Sequence, residues 1–280
     1  MGNAKDLYAE RALSEGYPGM DQLAHEKFSR SVTARPDDTP RVEWLLTCLG
    51  RLVNLRESRR ILVLGCGPHP QPAQILRNHG HEVIGVEPVE SFVEAARQYL
   101  GDSASVVQGA AEAIPLPDSS QDIAVFESVL ENVESVAKSL EEIYRVLAPG
   151  GVLYMTTTNR HRFSLKGRNG EYNVPFYNWF PCLVKEGYIL EHLHHRPELA
   201  NYTERPAVHW FSFADLCSRG RDAGFAKFYS HVDSMRRTDP MIDKSWLRRA
   251  LLRHIQHNPW VRAIALTQVG GLIFMLKRSA

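Results

Sequence analysis

The feature that most constrains the fold is an apolar run that ends in a glycine turn and precedes a second run ending in a lone acid. Residues 61–67 read ILVLGCG, and HEVIGVE ends at Glu87, twenty residues after Gly67. Gly65 and Gly67 carry no Cβ, so the backbone can turn tightly there and come close to a ligand. A carboxylate at Glu87 can accept hydrogen bonds from both hydroxyls of a ribose. The pattern predicts a nucleoside-bearing cofactor at the carboxyl ends of a parallel sheet.

One residue in this region separates two classes of nucleotide ligand. Pro70 stands where the dinucleotide fingerprint would need its third glycine. A pyrophosphate therefore fits this turn poorly, and a nucleoside without phosphates fits it better. The same proline, with no second nucleotide-binding half, argues against a nicotinamide-dependent oxidoreductase.

Alternation of strand-like and helix-like segments indicates the fold class. The short apolar runs ILVLG, EVIGV, DIAVF and GVLYMTT recur between residues 61 and 158, with helical patterns between them. In one such pattern Val136, Leu140, Ile143, Tyr144 and Leu147 have the three-to-four spacing of a buried helical stripe. This alternation predicts an α/β fold with a Rossmann-like, doubly wound parallel sheet.

Four landmarks in order resemble a known family. They are Gly65-Cys66-Gly67, Glu87, the run GAAEAIPLPDSSQDIAVFESVLENVE and the run EEIYRVLAPGGVLYMTTTNR. Together they resemble the type 11 class I S-adenosylmethionine-dependent methyltransferases, a group that includes the ubiquinone-biosynthesis methyltransferases. The likeness is strong over residues 58–160 and weaker over HWFSFADLCSRGRDAGF. It implies S-adenosylmethionine as cofactor, and about seven strands, the last of which, GLIFMLKR, pairs antiparallel with AKFYSHVD at the sheet edge.

The resemblance also implies which residues hold the cofactor. The glycine turn would contact the methionine or ribose portion, Glu87 the ribose, the segment after it the adenine, and the end of the fourth strand the methionine portion. The residues so assigned are Gly65, Cys66, Gly67, Glu87, Pro88, Ala111, Glu112, Glu127, Ser128 and Val129. The chain departs from the family pattern at Val63, His69 and Ala110, which predicts weaker or differently arranged cofactor binding.

Changes in composition predict the domain organisation. We expect an N-terminal helical cap over 1–57, a methyltransferase core over 58–158 and 212–280, and an insertion over 159–211. Ten of the 53 residues from 159 to 211 are aromatic, in runs such as VPFYNWFP and HWF. The insertion follows the fifth strand, at the end of the sheet where ligands bind. Either it is a lid that forms an aromatic acceptor pocket, or the aromatic residues are a small core that holds a long loop together.

Three side chains are candidates for a catalytic base. A hydroxyl acceptor must lose its proton, and histidine is well suited to remove it near neutral pH. His161 follows the fifth strand, His209 opens the HWF run, and Glu131 follows the fourth strand. Each also has a structural interpretation. In that reading His161 is a solvated loop residue, His209 a packing histidine beside Trp210, and Glu131 a charge at a helix N-terminus. No metal site is expected, because the HLHH run at 192–195 lacks carboxylates at ligand spacing.

The segment from 234 to 270 is rich in basic residues. Seven arginines and lysines stand there against two aspartates, and Leu247, Leu251 and Ile255 share one face of a helix. We interpret it first as an ordinary packed helix with a solvated basic face. Peripheral membrane contact through 244–262 and a subunit interface remain alternatives.

Composition limits the function further. The formal net charge of +1 gives no reason to expect a nucleic-acid partner. The four cysteines are scattered, and the charged N-terminus resembles no signal peptide, so we expect a cytoplasmic protein. The leading hypothesis is an enzyme that methylates a hydroxyl of a small molecule with an apolar or ring portion. The alternatives are an N- or S-methyltransferase and a non-catalytic S-adenosylmethionine-binding scaffold; the oligomeric state is left open.

Overall fold

The central strands of the chain are apolar on both faces, as expected for a sheet covered by helices on both sides. The computed structural model describes residues 37–101, 105–163, 179–191, 209–267, 269 and 271–279. Its strands are β1 (Arg60–Leu64), β2 (Glu82–Glu87), β3 (Val106–Gln108), β4 (Gln121–Glu127), β5 (Leu147–Thr157), β6 (Lys227–Ser230) and β7 (Gly271–Leu276). Most of the proposed lid, with the HLHH run, and the first 36 residues of the proposed cap lie outside the described residues, so those assignments stay predictions.

These strands form one sheet in the order β3-β2-β1-β4-β5-β7-β6. The first five run parallel to one another. Strand β7 is antiparallel to both β5 and β6, which closes the edge as the resemblance implied. The predicted fold class is therefore confirmed, and all five parallel strands end at the same edge of the sheet.

Helices cover the two faces of the sheet and extend one of its ends. They are α1 (Thr39–Leu49), α2 (Gln71–Asn78), α3 (Glu90–Leu100), α4 (Val136–Val146), α5 (Cys182–Glu191), α6 (Phe213–Asp222), α7 (His231–Ser234), α8 (Pro240–Asp243), α9 (Trp246–His257) and α10 (Pro259–Leu266). In the described part of the chain, no helix has both the length and the apolar character needed to cross a bilayer.

The core lies in two layers, one on each side of the sheet. Because successive strand residues point to opposite faces, Ile61 and Val63 of β1 enter one layer while Leu62 and Leu64 enter the other. Val63 is buried in the apolar layer beneath α1 and α2. Val63, where the chain departs from the family pattern, therefore has an apolar environment.

The predicted helical stripe covers one of these layers. In α4, Val136, Leu140 and Ile143 are buried against the sheet, and Ser135 caps the helix by accepting the backbone N–H of Lys138. The helix ends at Val146, so Leu147, which the stripe included, is instead the first residue of β5.

The strand expected over AKFYSHVD is shorter than predicted. Strand β6 ends at Ser230, whose hydroxyl accepts the backbone N–H of Asp233 while the Asp233 carboxylate accepts the Ser230 N–H. This reciprocal pair is a capping box, which starts the short helix α7 instead of continuing the strand. The Ser-x-x-Asp spacing that produces it is visible in the sequence.

Candidate functional site

The glycine turn at the carboxyl end of β1 has the conformation that the sequence predicts. Gly65 and Gly67 have φ angles of 61° and 65°, in the left-handed region that favours glycine. The Gly65 N–H donates to the carbonyl of Val86 on the neighbouring strand at 2.8 Å. A Cβ added to Gly65 would lie 2.4 Å from Cγ2 of Val129, so a side chain there must displace its neighbour.

Glu87 at the end of β2 is joined to this turn. Its Oε2 accepts the backbone N–H of Gly67 at 3.0 Å, and its Oε1 accepts that of Val89 at 3.2 Å. The side chain is buried, and burial raises the pKa of Glu87 although both N–H groups favour the ionised form. The structure thus places the turn and the acid, which the sequence paired by spacing alone, in one site.

The nature of these groups decides which ligand fits. Each oxygen of the Glu87 carboxylate accepts one backbone N–H and keeps further lone-pair capacity, which suits the hydroxyl donors of a ribose. A phosphate seated on the turn would instead be repelled by the same carboxylate, which lies within hydrogen-bond reach of the Gly67 N–H. The site therefore fits a nucleoside without phosphates.

Cys66 lies between the two glycines with its thiol buried. Its Sγ would be 2.8 Å from a Cβ at Gly85, so the missing side chain on β2 leaves room for it. Burial raises the pKa of Cys66 to about 12, with a further contribution from the neighbouring Glu87 charge. The thiol is protonated at neutral pH, and the residue contributes shape and backbone rather than a nucleophile.

We expect Cys66 to resist alkylation in the native protein. Incubation with iodoacetamide at pH 8, followed by peptide mass spectrometry, should modify the half-buried Cys182 first. Cys66 should react only after addition of denaturant, because the thiol is both buried and protonated. Labelling of Cys66 at the rate of Cys182 would contradict its assigned environment.

The residues expected to face the adenine have different environments in the structure. Pro88 is exposed beside Glu87, and Ala111 is buried in the core. The Glu112 carboxylate accepts the backbone N–H groups of Glu134 and Ser135 at 2.8 and 3.2 Å. Its side chain therefore holds the loop before α4, and only its backbone is left to serve the proposed adenine contact.

The end of β4 carries unusual backbone geometry. Ser128 has a φ of 55°, which is costly for a residue with a Cβ, and its N–H donates to the carbonyl of Thr156 at 2.9 Å. Val129 packs over Gly65, so β4 and the glycine turn are in direct contact. Strained residues of this kind cluster at functional sites, which is consistent with the assignment of Ser128 and Val129 to the cofactor site.

Arg41 is a residue of this region that the sequence did not suggest. It lies on α1, forms an ion pair with Glu127 at the end of β4, and also contacts Asp38 at 3.1 Å. Burial and the nearby Glu127 charge raise the pKa of Tyr154. Arg41 precedes Glu127 by 86 residues and belongs to no motif, so only the fold brings the two together.

Two of the three candidate bases are joined by a hydrogen bond, and the third is exposed. The backbone N–H of His209 donates to the carbonyl of Glu131 at 3.2 Å, and the buried Glu131 carboxylate accepts the Thr157 hydroxyl at 2.8 Å. His161 is exposed, with Nδ1 3.5 Å from Sγ of Cys182. Glu131 and His209 therefore share the carboxyl ends of β4 and β5.

Two buried polar atoms in this region have no hydrogen-bond partner among the described residues. They are Oδ1 of Asn132, next to Glu131, and Nε1 of Trp210, next to His209. Buried polar atoms are nearly always satisfied in native proteins, so an unmet donor and an unmet acceptor call for a partner. No sequence pattern gave either side chain a role in binding.

The sheet order and the bond between the glycine turn and Glu87 define a class I S-adenosylmethionine-dependent methyltransferase fold. The model of a methyltransferase domain family, type 11, matches residues 62–155, which run from β1 through most of β5. Residues 62–155 therefore match a methyltransferase domain family, and S-adenosylmethionine is the cofactor of such domains.

Similar proteins carry related names. A probable S-adenosylmethionine-dependent methyltransferase of Mycolicibacterium smegmatis is 34% identical over 127 residues, 45% of this chain and 48% of its own. A malonyl-[acyl-carrier protein] O-methyltransferase of Enterobacter lignolyticus is 35% identical over 103 residues, 36% and 40% of the two chains. A ubiquinone/menaquinone biosynthesis C-methyltransferase of Pectobacterium carotovorum is 36% identical over 106 residues, 35% and 42% of the two chains. The chain thus spans less than half the length of these relatives.

A solved structure shares the fold over more of the chain. The S-adenosylmethionine-dependent methyltransferase of Mesorhizobium loti superposes with a TM-score of 0.54 at 18% identity, covering 84% of this chain and 98% of its own. At this identity the likeness concerns the fold alone.

Proposed function

We propose that the protein transfers the methyl group of S-adenosylmethionine to a hydroxyl of a small molecule. The observation that carries the cofactor assignment is the hydrogen bond between Gly67 and Glu87, which joins the glycine turn to a buried carboxylate. When bound, S-adenosylmethionine supplies an electrophilic methyl group on a cationic sulfur. The protein must then hold the acceptor in line with that methyl group and exclude water, and good alignment is worth roughly 7–11 kcal/mol.

His209 is the base that the geometry favours. Its Nε2 lies 2.9 Å from the carbonyl of Val133, and a carbonyl only accepts, so Nε2 carries the proton. In the neutral ring this leaves the lone pair on Nδ1, the form that a general base requires. Glu131 holds the His209 backbone and keeps its own carboxylate on Thr157, so we assign it a positioning role. His161, which is exposed and shares no described hydrogen bond with this pair, is the weaker of the two histidine candidates.

The acceptor-binding groups are proposed from the unmet hydrogen bonds. Trp210 Nε1 offers a donor and Asn132 Oδ1 an acceptor near His209, which suits a small polar acceptor with a ring or apolar portion against the tryptophan. One relative is named an O-methyltransferase, and others are named C-methyltransferases. The hydroxyl preference therefore rests on the orientation of His209.

The cytoplasm is the compartment we propose. This rests on four cysteines at scattered spacings, a pattern that suits a reducing environment. The proposed partner is a small-molecule acceptor, and the near-neutral charge gives nucleic acid no electrostatic attraction.

The first test is calorimetric titration of the protein with S-adenosylmethionine and S-adenosylhomocysteine, with NAD as control. We expect both to bind and NAD not to bind, because the turn favours a nucleoside without phosphates. Transfer of labelled methyl to a panel of hydroxyl, amine and thiol acceptors then identifies the methylated atom. Absence of binding at millimolar ligand would favour a fold that has lost the cofactor.

A matched pair of variants tests the base. His209→Gln retains a donor for the Val133 carbonyl but cannot accept a proton, so kcat for a hydroxyl acceptor should fall about 10²–10⁴-fold at unchanged Tm. His161→Gln should leave kcat unchanged. An amine or thiolate acceptor needs less help from a base, so an unaffected His209→Gln enzyme would contradict O-methylation through His209.

A further inference from the structure

Helices α9 and α10 carry a band of large apolar side chains on their outer surface. Trp246, Leu247 and Leu251 on α9 are 73%, 60% and 53% exposed, and Trp260 and Ile264 on α10 are 80% and 66% exposed. These five residues are the α9–α10 apolar surface. Large apolar side chains exposed in this number on two consecutive helices point to an interaction site rather than ordinary protein surface.

The exposure does not arise from loosely packed helices. On the inner side of α9, Leu252 is buried and Nε2 of Gln256 donates to the carbonyls of Val232 and Met235 at 3.0 and 3.1 Å. On the inner side of α10, Arg262 pairs with Asp233 of α7 at 2.5 Å. Both helices are thus anchored to α7, and their outer sides are fixed.

This packing corrects the interpretation made from the sequence. We expected Leu247, Leu251 and Ile255 to form the packed face of the helix. The helix packs instead through Leu252, and Leu247 and Leu251 point outward.

Positive charge flanks the apolar residues of α9. With about 100° per residue, Trp246, Leu247, Ala250 and Leu251 share the outer face of α9 with the exposed His254 and His257, whereas Arg248 and Arg253 fall on its two flanks. Both aspartates of this basic segment are already engaged, Asp239 by Arg51 and Asp243 by Arg249.

The segment as a whole keeps an excess of positive charge. Residues 234–266 contain seven basic residues and two acidic ones, a formal excess of five positive charges. The surface that covers this band must therefore be apolar at its centre and negative around it.

We infer that the α9–α10 apolar surface binds the face of an anionic lipid bilayer. Tryptophan and leucine side chains at the centre enter the headgroup region, while arginines on the flanks meet lipid phosphates, the arrangement of an interfacial amphipathic helix. Each basic residue near an anionic membrane strengthens binding about fivefold.

The position of these helices links the bilayer to the proposed acceptor site. Nδ2 of Asn159, just after β5, donates to the carbonyls of Leu266 and Val269 at 2.8 Å each, and the Phe163 N–H donates to the Thr267 carbonyl at 2.9 Å. The end of α10 is therefore tied to the edge of the sheet that holds His209. A bilayer-bound protein would keep that edge near the membrane, where an amphiphilic acceptor resides.

The test is co-sedimentation of the full chain with vesicles of phosphatidylglycerol and phosphatidylcholine in equal parts, and with phosphatidylcholine alone. We expect binding to the first only, weakened by added salt. Arg248→Gln and Arg253→Gln should each lower the partition coefficient about fivefold. Trp246→Ser with Leu251→Ser should lower it at least about tenfold.

Two control variants test whether the vesicles bind at the α9–α10 apolar surface and not elsewhere. Arg56→Gln removes an exposed charge outside this surface, and Leu183→Ser removes a leucine on α5 that is 71% exposed. Both variants should leave the partition coefficient unchanged. All variants lie on the surface, so Tm and S-adenosylmethionine affinity should match those of the parent.

Three outcomes would overturn the inference. The first is equal binding to both vesicle types, and the second is an equal loss in the Leu183→Ser control. The third is a dimer in sedimentation equilibrium that Trp246→Ser with Leu251→Ser dissociates, because it would make a second copy of the chain the occupant of this surface. None of these results depends on methyl transfer, so the inference stands or falls separately from the proposed reaction.

Discussion

Glu87→Ala is expected to weaken S-adenosylmethionine binding by about two orders of magnitude or more. Hydrogen bonds to a charged group contribute about 1.5–3 kcal/mol each, and the substitution removes both proposed bonds to the ribose. The alanine also leaves the N–H groups of Gly67 and Val89 without their acceptor, so the turn loses its anchor. Calorimetric titration well below Tm measures the affinity.

Glu90→Ala is the matched control for this change. Glu90 is exposed in the first turn of α3, three residues from Glu87, and its loss should cost only the small helix-dipole contribution of about 0.3–1 kcal/mol in stability. Its S-adenosylmethionine affinity should equal that of the parent. Unchanged affinity in Glu87→Ala would remove the ribose assignment.

Gly65→Ala is expected to abolish cofactor binding and to destabilise the fold. A φ of 61° costs an alanine about 1–2 kcal/mol, and its Cβ would lie 2.4 Å from Val129, so the turn or β4 must move. Thermal unfolding and calorimetric titration together measure the two effects.

A second glycine distinguishes the cost of the backbone conformation from the cost of the steric contact in Gly65→Ala. Gly101 has a similar φ of 68°, and in the described part of the chain no heavy atom lies within 4 Å of an added Cβ. Gly101→Ala should therefore cost only the conformational energy and leave binding intact. Adding Val129→Ala to Gly65→Ala removes the nearest contact and should restore part of the lost stability. Equal effects in Gly65→Ala and Gly101→Ala would show that the close approach to Val129 is unimportant.

The sequence predicted most of the sheet and the central pair of the site because these depend on local pattern. Apolar runs with turns between them determine a parallel sheet, and the order of the strands then brings the Gly65–Gly67 turn beside Glu87. Local signals also set the limits of α4 and α6, where Ser135 and Ser212 act as N-caps.

Other features depend on distant contacts that no local pattern encodes. Arg41 reaches Glu127 only because α1 packs across the sheet, and the spacing of Leu247 and Leu251 does not reveal which side of α9 faces α7. The bonds from the Glu112 carboxylate to the backbone at Glu134 and Ser135 were equally hidden in the sequence, because they join segments more than twenty residues apart. The relation of His209 to Glu131 spans the insertion after β5, and its tautomer follows from the Val133 carbonyl.

The bond between Gly67 and Glu87 also bears on turnover. For the proposed reaction, the ribose that this pair recognises is the same before and after transfer, so the pair cannot distinguish substrate cofactor from spent product. Discrimination would have to come from the end of β4, near the sulfur, which loses its positive charge on transfer. A carboxylate there could favour the charged sulfur, but the Glu127 carboxylate is already neutralised by Arg41. The spent product should then compete strongly for the site, and the rate in a cell would follow the ratio of S-adenosylmethionine to S-adenosylhomocysteine more than the amount of either.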